Sequence, residues 1–178
     1  GYWSRGLGDV YKRQVKSHEN IEAGVRAILA AGAVPVVIGG DHSVNIPCIN
    51  AFDGQEPFHL VQIDAHLDFV DERHGVRYGH GNPMRRAAEK PYVTGLSQVG
   101  IRNVSSTARD GYEDARSMGS DIVSVRQFRK MGVDAMLDRI PEGARYYVTI
   151  DIDGFDPSIA AGTGTPSHGG FLYYEVLE

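Results

Sequence analysis

The sequence predicts an α/β protein built on a mostly parallel β-sheet. Short apolar runs rich in β-branched residues alternate with amphipathic stretches of helical period along the 178 residues. Such alternation is typical of β-α-β units with right-handed crossovers. In addition, three of the apolar runs are followed directly by clusters of Asp and His. Parallel sheets gather polar groups of this kind at the carboxyl ends of their strands.

The first α/β unit begins with a predicted helix from Asn20, a residue type that caps helices, to Gly32, which can close one. A strand over Val34–Ile38 follows, and it is apolar throughout, as a strand covered on both faces should be. The later elements are predicted from the same two periods. They are a helix within Ser43–Phe52, a strand Phe58–Ile63, a helix Met84–Lys90 preceded by Pro83, a strand Gln98–Ile101, a helix Ala108–Met118, a strand Ile122–Val125, a helix Val133–Ile140 and a strand Tyr146–Ile150.

Composition narrows the class of protein. With 42% hydrophobic residues the chain can bury a core of its own, and its longest apolar run, Ala33–Ile38, is too short to span a membrane. The net charge of -5 argues against a nucleic-acid partner and is compatible with a small cationic substrate. The single Cys48 excludes an intramolecular disulfide and fits a reducing compartment, so we expect a cytoplasmic protein.

Three polar motifs carry the candidate chemistry. GGDHS, DAHLD and DIDGFDP each follow a predicted strand, and together they contribute two imidazoles and four carboxylates. These candidate metal ligands are His42, Asp64, His66, Asp68, Asp151 and Asp153. Unpaired carboxylates at the end of a buried strand are costly unless a cation offsets their charge. The motifs therefore predict a metal site at the carboxyl edge of the sheet.

The number and type of these residues indicate which metal would bind. Six ligand-type side chains are too many for one tetrahedral zinc ion and suit two divalent ions. Carboxylate-rich sites favour Mn²⁺ or Mg²⁺, and the imidazoles favour Mn²⁺ of the two. Taken singly, a D-x-D sequence after a strand is often only a turn, and the stretch from Asp151 departs from the EF-hand pattern because Gly154 comes too early. The joint occurrence of all three motifs favours the two-metal site.

The same motifs resemble those of the ureohydrolase superfamily, which contains arginases, agmatinases and related guanidino hydrolases. The resemblance extends to two further motifs, His80-Gly81-Asn82-Pro83 and Gly162-Thr163-Gly164-Thr165-Pro166. The sequences around them, HGNPMRRA and GTGTPSHGGF, are more similar to those of agmatinase-like members than to those of arginases. The resemblance implies a three-layer α/β/α fold, two Mn²⁺ ions per chain, and hydrolysis of a guanidino compound to urea and an amine. Agmatine, which would give putrescine, is the expected substrate and links the protein to polyamine metabolism.

The resemblance also implies a role for each residue. His42 and Asp68 would bind mainly the first ion, His66 and Asp153 the second, and Asp64 and Asp151 both. A hydroxide bridging the two ions would attack the guanidinium carbon, with its proton oriented by Asp68. His80 would be the second catalytic residue and carry a proton to the leaving amine.

Other functions stay open at this level. Guanidinobutyrase, guanidinopropionase or arginase activity fits the same metal ligands, and a zinc-dependent deacetylase would need only one metal and fewer carboxylates. A catalytically inert metal-binding scaffold is the alternative outside the enzyme class. We expect no nucleic-acid partner, no membrane association, and a homo-oligomer in the full-length protein, the last by resemblance alone.

The ends of the chain depart from the resemblance. Residues 1–14 show no clear period and resemble translated adapter sequence, so we expect a non-native segment followed by a partial ureohydrolase domain over residues 15–178. In relatives a later strand brings a glutamate to the substrate, and neither Glu175 nor Glu178 lies in the matching motif. We therefore expect a domain truncated at both ends, in which the metal ligands are complete and the substrate pocket is not.

Overall fold

A four-stranded parallel sheet forms the centre of the protein. The computed structural model describes residues 2–104 and 107–178, with side chains from residue 13 onward. The strands lie in the order β3-β2-β1-β4. Their bounds are Phe58–Ile63 for β1, Val93–Val99 for β2, Ser120–Val123 for β3 and Tyr146–Ile150 for β4. All three pairings are parallel, which confirms the predicted fold class.

Helices connect the strands and cover both faces of the sheet. They are α1 Tyr2–Ala30, α2 Asn45–Asn50, α3 Pro83–Ala88, α4 Arg109–Ser117, α5 Val125–Met131, α6 Val133–Leu137 and α7 Tyr173–Leu177, with single 3₁₀ turns at His42–Val44 and Ile152–Gly154. On one face, Leu60 and Leu96 pack against α2, α3 and α4. On the other, Val99 and Val123 pack against α5, α6 and Phe171. The sheet is therefore the middle of three layers.

Several predicted bounds differ from the observed ones. β1 and β4 match the prediction, whereas β2 begins at Val93 rather than Gln98 and the helix α5 was not predicted. The helix expected to begin at Asn20 begins at Tyr2 and runs through Asn20 without a break. It ends as predicted before Gly32, which has a φ of 71°. Gly1, the first residue of the segment predicted to be non-native, lies outside the described residues.

The strand predicted over Val34–Ile38 is wrong. This stretch is not assigned to any strand, and Val34 and Ile38 are 86% and 93% exposed. An open cleft of about 730 Å³ separates it from β4, whose only strand partner among the described residues is β1. An apolar sequence becomes a strand only when a neighbouring strand pairs with its backbone, and none lies beside this one in the described chain.

Two further findings concern the exterior and the core. No helix among the described residues is both long enough and apolar enough to cross a bilayer. The buried Cys48 lies with Val25 and Ala51 where α1 packs on α2, so it is a small core residue.

Candidate metal centre

The adjacency of β1 and β4 brings two of the three polar motifs together. The last residues of these strands, Ile63 and Ile150, are register partners, so Asp64 and Asp151 follow side by side. The amide of Asp151 donates to the carbonyl of Ile63 at 2.9 Å, which continues the pairing by one residue. Convergence of the motifs at the carboxyl edge, predicted from topology, is thus observed.

Each motif contains an aspartate whose side chain closes the turn that follows it. Asp64 Oδ1 accepts from the amide of His66 at 2.6 Å, and Asp151 Oδ1 accepts from the amide of Asp153 at 3.1 Å. Asp41 does the same for Ser43 at 2.9 Å, which begins the 3₁₀ turn that carries His42. Aspartate favours such turns because its carboxylate reaches the amide two residues on. The aspartates of these motifs can therefore form a turn and still belong to a cluster of metal ligands.

The first group of side chains surrounds His42. Its Nδ1 lies 2.5 Å from Asp68 Oδ2, 3.2 Å from Asp64 Oδ2 and 3.8 Å from Asp151 Oδ2. One ligand atom from each of His42, Asp64 and Asp151 falls within 4.8 Å of the others, as a metal ion would require. Asp68 reaches this group from a left-handed backbone conformation, with φ 49°. Aspartate tolerates that conformation better than most residues, and strained residues tend to cluster at functional sites.

The second group surrounds His66. Its Nδ1 lies 3.0 Å from Asp153 Oδ2 and 3.6 Å from Asp64 Oδ1. One ligand atom from each of Asp64, His66 and Asp153 also lies within 4.8 Å of the other two, so Asp64 belongs to both groups. Asp151 belongs to the first group only. This geometry matches the expectation that Asp64 contributes to both metal sites. The expectation that Asp151 also contributes to both stays a prediction.

Protonation in the metal-free site follows from burial and charge. Burial raises the pKa of Asp64 and of Asp151, because it disfavours the charged carboxylate. Burial would lower the pKa of His42, but the hydrogen bond to Asp68 and the neighbouring carboxylates outweigh it and raise that pKa to about 9. Hydrogen bonds to Asp153 and Asp64 raise the pKa of His66 to about 10. Four carboxylates face only two imidazoles, so the site suits additional cations.

His80, predicted to carry a proton, takes part in none of the short contacts described above. It is exposed, in the loop between β1 and α3. Asn82 anchors the end of that loop, because its side chain donates to the carbonyl of Val70 at 2.7 Å and accepts from the amide of Gly79 at 2.8 Å. The structure thus brings all six predicted ligands together, and it leaves His80 on an exposed loop.

Comparison with known proteins identifies the family. A model of the arginase family matches residues 6–178. The chain belongs to the arginase family. Guanidinopropionase from Pseudomonas aeruginosa is 38% identical over 169 residues, covering 91% of this chain and 52% of that protein. Mitochondrial agmatinase from Gallus gallus is 32% identical, covering 91% of this chain and 49% of that protein.

A solved structure supports the same assignment for the fold. Proclavaminate amidinohydrolase from Streptomyces clavuligerus superposes with a TM-score of 0.79 at 35% identity, covering 90% of this chain and 55% of that one. This arginase-family chain spans about half the length of the curated relatives that it matches.

Several residues that support the cluster in this arginase-family chain were not predicted. Gln62 Nε2 donates to Asp64 Oδ2 at 2.6 Å, and Gln98 Nε2 donates to Gln62 Oε1 at 2.6 Å. These glutamines are register partners on β1 and β2, and both are completely buried. Their signal in the sequence was an amide next to the last residue of an apolar strand, since a buried polar group needs a partner.

A second supporting contact lies on the outer side of His42. Its Nε2 lies 3.2 Å from Thr149 Oγ1, and the same hydroxyl oxygen accepts from Asn45 Nδ2 at 3.1 Å. Tyr147 in turn donates to Asn45 Oδ1 at 2.7 Å. With Nε2 engaged in this way, Nδ1 is the nitrogen that faces the carboxylates. Such outer partners fix the orientation of an imidazole ligand.

Proposed function

We propose that the protein is a two-manganese amidinohydrolase that cleaves a guanidino compound into urea and an amine. The observation that carries this proposal is the pair of His–Asp groups that share Asp64 at the carboxyl edge of the sheet. Two ligand groups with a common carboxylate suit a pair of divalent ions held close together. Membership of the arginase family supports the same chemistry.

The donor set fits these ions. His42 and Asp68 would hold one ion, His66 and Asp153 the other, and Asp64 and Asp151 would contribute to both. Hard carboxylate oxygens combined with two imidazoles favour Mn²⁺ over Mg²⁺. The set contains no cysteine thiolate, which structural zinc sites prefer. When bound, two such ions lower the pKa of a shared water toward neutrality and so supply a nucleophile.

The protein's own groups would then orient and move protons. Asp68 lies within the first group through its 2.5 Å contact with His42, and its carboxylate would orient the proton of a water that the bound ions activate. His80 would pass a proton to the departing amine, a role that suits an imidazole because its ring can both accept and donate a proton. Asp68 and His80 are therefore the proposed catalytic residues.

Agmatine is the proposed substrate, on the strength of the HGNPMRRA and GTGTPSHGGF motifs. The relatives at 38% and 36% identity are a guanidinopropionase and a proclavaminate amidinohydrolase, so a guanidino acid is the second candidate. The two differ at the end remote from the guanidinium group, where agmatine carries an ammonium and a guanidino acid carries a carboxylate. A small cationic group is thus common to both, and the remote end decides specificity.

The proposal is tested by urea release from the full-length gene product loaded with Mn²⁺. The substrates are agmatine, guanidinopropionate, guanidinobutyrate and arginine, with Asp151→Ala as the inactive variant. Asp110→Ala, which removes an exposed carboxylate in the first turn of α4, is the matched control. Urea from one substrate, lost in Asp151→Ala and kept in Asp110→Ala, supports the proposal. Two bound Mn²⁺ ions without urea from any substrate would indicate the inert metal-binding scaffold instead.

Assembly and location follow from the same proposal. We expect the full-length protein to form a homo-oligomer in the cytoplasm, with the small guanidino compound as its partner. Sedimentation of the purified full-length protein checks the first expectation, and fractionation of the source cells checks the second.

A further inference from the structure

The side chain of Arg102 is surrounded by main-chain carbonyl oxygens. It lies three residues after the end of β2 and is half-buried. Its three nitrogens, which carry five N–H groups, lie within hydrogen-bond distance of six carbonyl oxygens from three separate segments, so at least one N–H is shared between two carbonyls. The six carbonyls are those of Gly100 at 3.2 Å, Asp153 at 2.7 Å, Gly154 at 3.2 Å, Phe155 at 3.3 Å, Ser167 at 2.6 Å and His168 at 3.0 Å. A guanidinium with this many backbone partners acts as a clamp between loops.

Two of the clamped segments meet at Asp153. The carbonyl of Asp153 accepts from Arg102 Nη2, while Oδ1 of its carboxylate accepts from the amide of Ala65 at 3.2 Å. Oδ2 accepts from the hydroxyl of Thr165 at 2.8 Å and lies 3.0 Å from His66 Nδ1. The main-chain amide of Arg102 donates to the carbonyl of Ala65 at 3.0 Å, so Arg102 also ties down the segment that carries His66.

The clamp also determines where Thr165 lies. Thr165 precedes Ser167 by two residues, and the carbonyl of Ser167 is one of the two shortest contacts of Arg102. The loop carrying Thr165 is exposed, so its own packing does not fix it. Without the clamp, the loop would keep its anchor at Gly169 and Gly170, which donate to Asp156 Oδ2, but it would lose the bonds nearest to Thr165.

We propose that Arg102 is a positioning residue for the half of the centre formed by His66 and Asp153. This inference rests on the proposed function, because it assumes that this half binds a metal ion. Arg102 sets the backbone of Asp153 directly and sets its carboxylate through Thr165. Lysine cannot replace it, because an ammonium has three donors on one atom, whereas the guanidinium presents five in a planar fork.

The test compares Mn²⁺ binding to the full-length protein and to Arg102→Lys, Thr165→Val and the double variant. Arg102→Lys and Thr165→Val are each expected to weaken the second Mn²⁺ ion about 10–100-fold, the usual effect of losing an outer partner of a metal ligand. The double variant is expected to bind no more weakly than the weaker single variant, because both changes release the same carboxylate. The spectrum of a coupled Mn²⁺ pair should give way to that of a single ion, as in His66→Ala.

The matched control is Arg129→Lys. Arg129 also donates to a main-chain carbonyl, that of Gly170 at 2.9 Å, and pairs with Glu175, but it has no contact with either metal group. It should keep both ions at parental affinity. Arg102→Gln, a neutral side chain with two donors, is the second variant if Arg102→Lys does not fold, and it is expected to lose the same ion.

Two results would overturn the inference. If the parent binds two Mn²⁺ ions and Arg102→Lys binds both with unchanged affinity, Arg102 does not position the centre, while the proposed function stands. If the losses in Arg102→Lys and Thr165→Val are additive, the two residues act independently and the clamp does not reach Asp153 through Thr165. A parent that binds no Mn²⁺ refutes the proposed function itself, and the inference falls with it.

Discussion

His42 and His66 are the residues whose chemistry changes most between the metal-free and metal-bound states. Neighbouring carboxylates raise their pKa values to about 9 and about 10, so both imidazoles carry protons at neutral pH when no metal is bound. A metal ligand must be neutral imidazole, and binding therefore has to displace these protons. Each histidine stabilises the metal-free fold fully below its unfolded pKa of about 6.5, and this contribution is lost as the pH rises through the folded value.

The first prediction follows from these protons. Mn²⁺ binding to the full-length protein at neutral pH should release at least two protons, one from each histidine and a further fraction from Asp64, and its affinity should rise with pH up to about 9–10. Calorimetry in two buffers of different ionisation enthalpy measures the release. His74→Gln, which changes an exposed loop histidine, is the control and should leave the count unchanged. Binding without proton release would contradict the proposed ligand roles of His42 and His66.

Gly154 is a second residue whose identity the site requires. A Cβ there would lie 3.1 Å from the amide nitrogen of Asp64 and 3.2 Å from its Cα. These are backbone atoms of a residue shared by both groups, so they cannot move aside without moving the site.

Gly154→Ala should therefore lower the free energy of unfolding by about 1–3 kcal/mol, the usual cost of overpacking, and weaken Mn²⁺ binding as well. Gly24→Ala in α1 is the matched control, because its Cβ would meet nothing within 4 Å. It should stabilise the helix by about 0.5–1 kcal/mol. Urea unfolding of the three proteins measures both effects, and equal stability for Gly154→Ala and the parent would show that the contact relaxes freely.

Helix α5 illustrates how local sequence fixes an element away from the site. Ser124 Oγ accepts from the amide of Gln127 at 3.2 Å, and Gln127 Oε1 accepts from the amide of Ser124 at 2.9 Å. This reciprocal arrangement is a capping box, and it satisfies two amides that the helix leaves without partners.

Ser124→Ala should cost about 1 kcal/mol of unfolding free energy, because it removes the cap. Mn²⁺ affinity should stay at the parental value, since α5 holds no ligand. Ser17→Ala, at an exposed position within α1, is the control and should not destabilise. A loss of metal affinity in Ser124→Ala would mean that α5 is coupled to the site.

The elements could be predicted where one signal dominated. β1 and β4 have the predicted bounds because each is a short apolar run ended by charged residues. The same signal failed at Val34–Ile38, since an apolar run does not say whether a neighbouring strand is present. The helix before it was predicted to begin at Asn20, but a capping residue type does not end a helix that already runs through it.

The site divides in a similar way. The convergence of the six candidate ligands could be predicted, because carboxylates and imidazoles after strands are visible in the sequence itself. The supporting contacts of Gln62, Thr149, Arg102 and Thr165 could not, because each depends on which residue lies opposite in three dimensions. Arg102 is the clearest case. Its partners are main-chain carbonyls, and because every residue has one, the sequence gives no indication of which carbonyls it will contact.

The exposed edge of the sheet is the main feature of the whole molecule. Tyr146, Val148 and Ile150 of β4 are 47–58% exposed, and the apolar residues Val34 and Ile38 are exposed across the cleft. Native proteins rarely leave a flat apolar edge strand open, because its backbone can pair with another chain.

The 178-residue chain by itself should therefore self-associate. Light scattering coupled to size-exclusion chromatography should find species larger than a monomer, and Val148→Lys should shift them toward the monomer, because a charge on the edge strand opposes pairing. Val104→Lys is the control, since Val104 is exposed outside the cleft. A monomeric parent chain would contradict this account of the edge.

The measurement that tests the central claim most directly is the Mn²⁺ content of the full-length protein, with the spectrum of the bound ions. We expect two ions per chain with the signature of a coupled pair, and loss of that signature in Asp64→Ala, because Asp64 is the carboxylate common to both groups. A single ion, or a coupled pair that survives Asp64→Ala, would contradict the two-metal centre built from these residues.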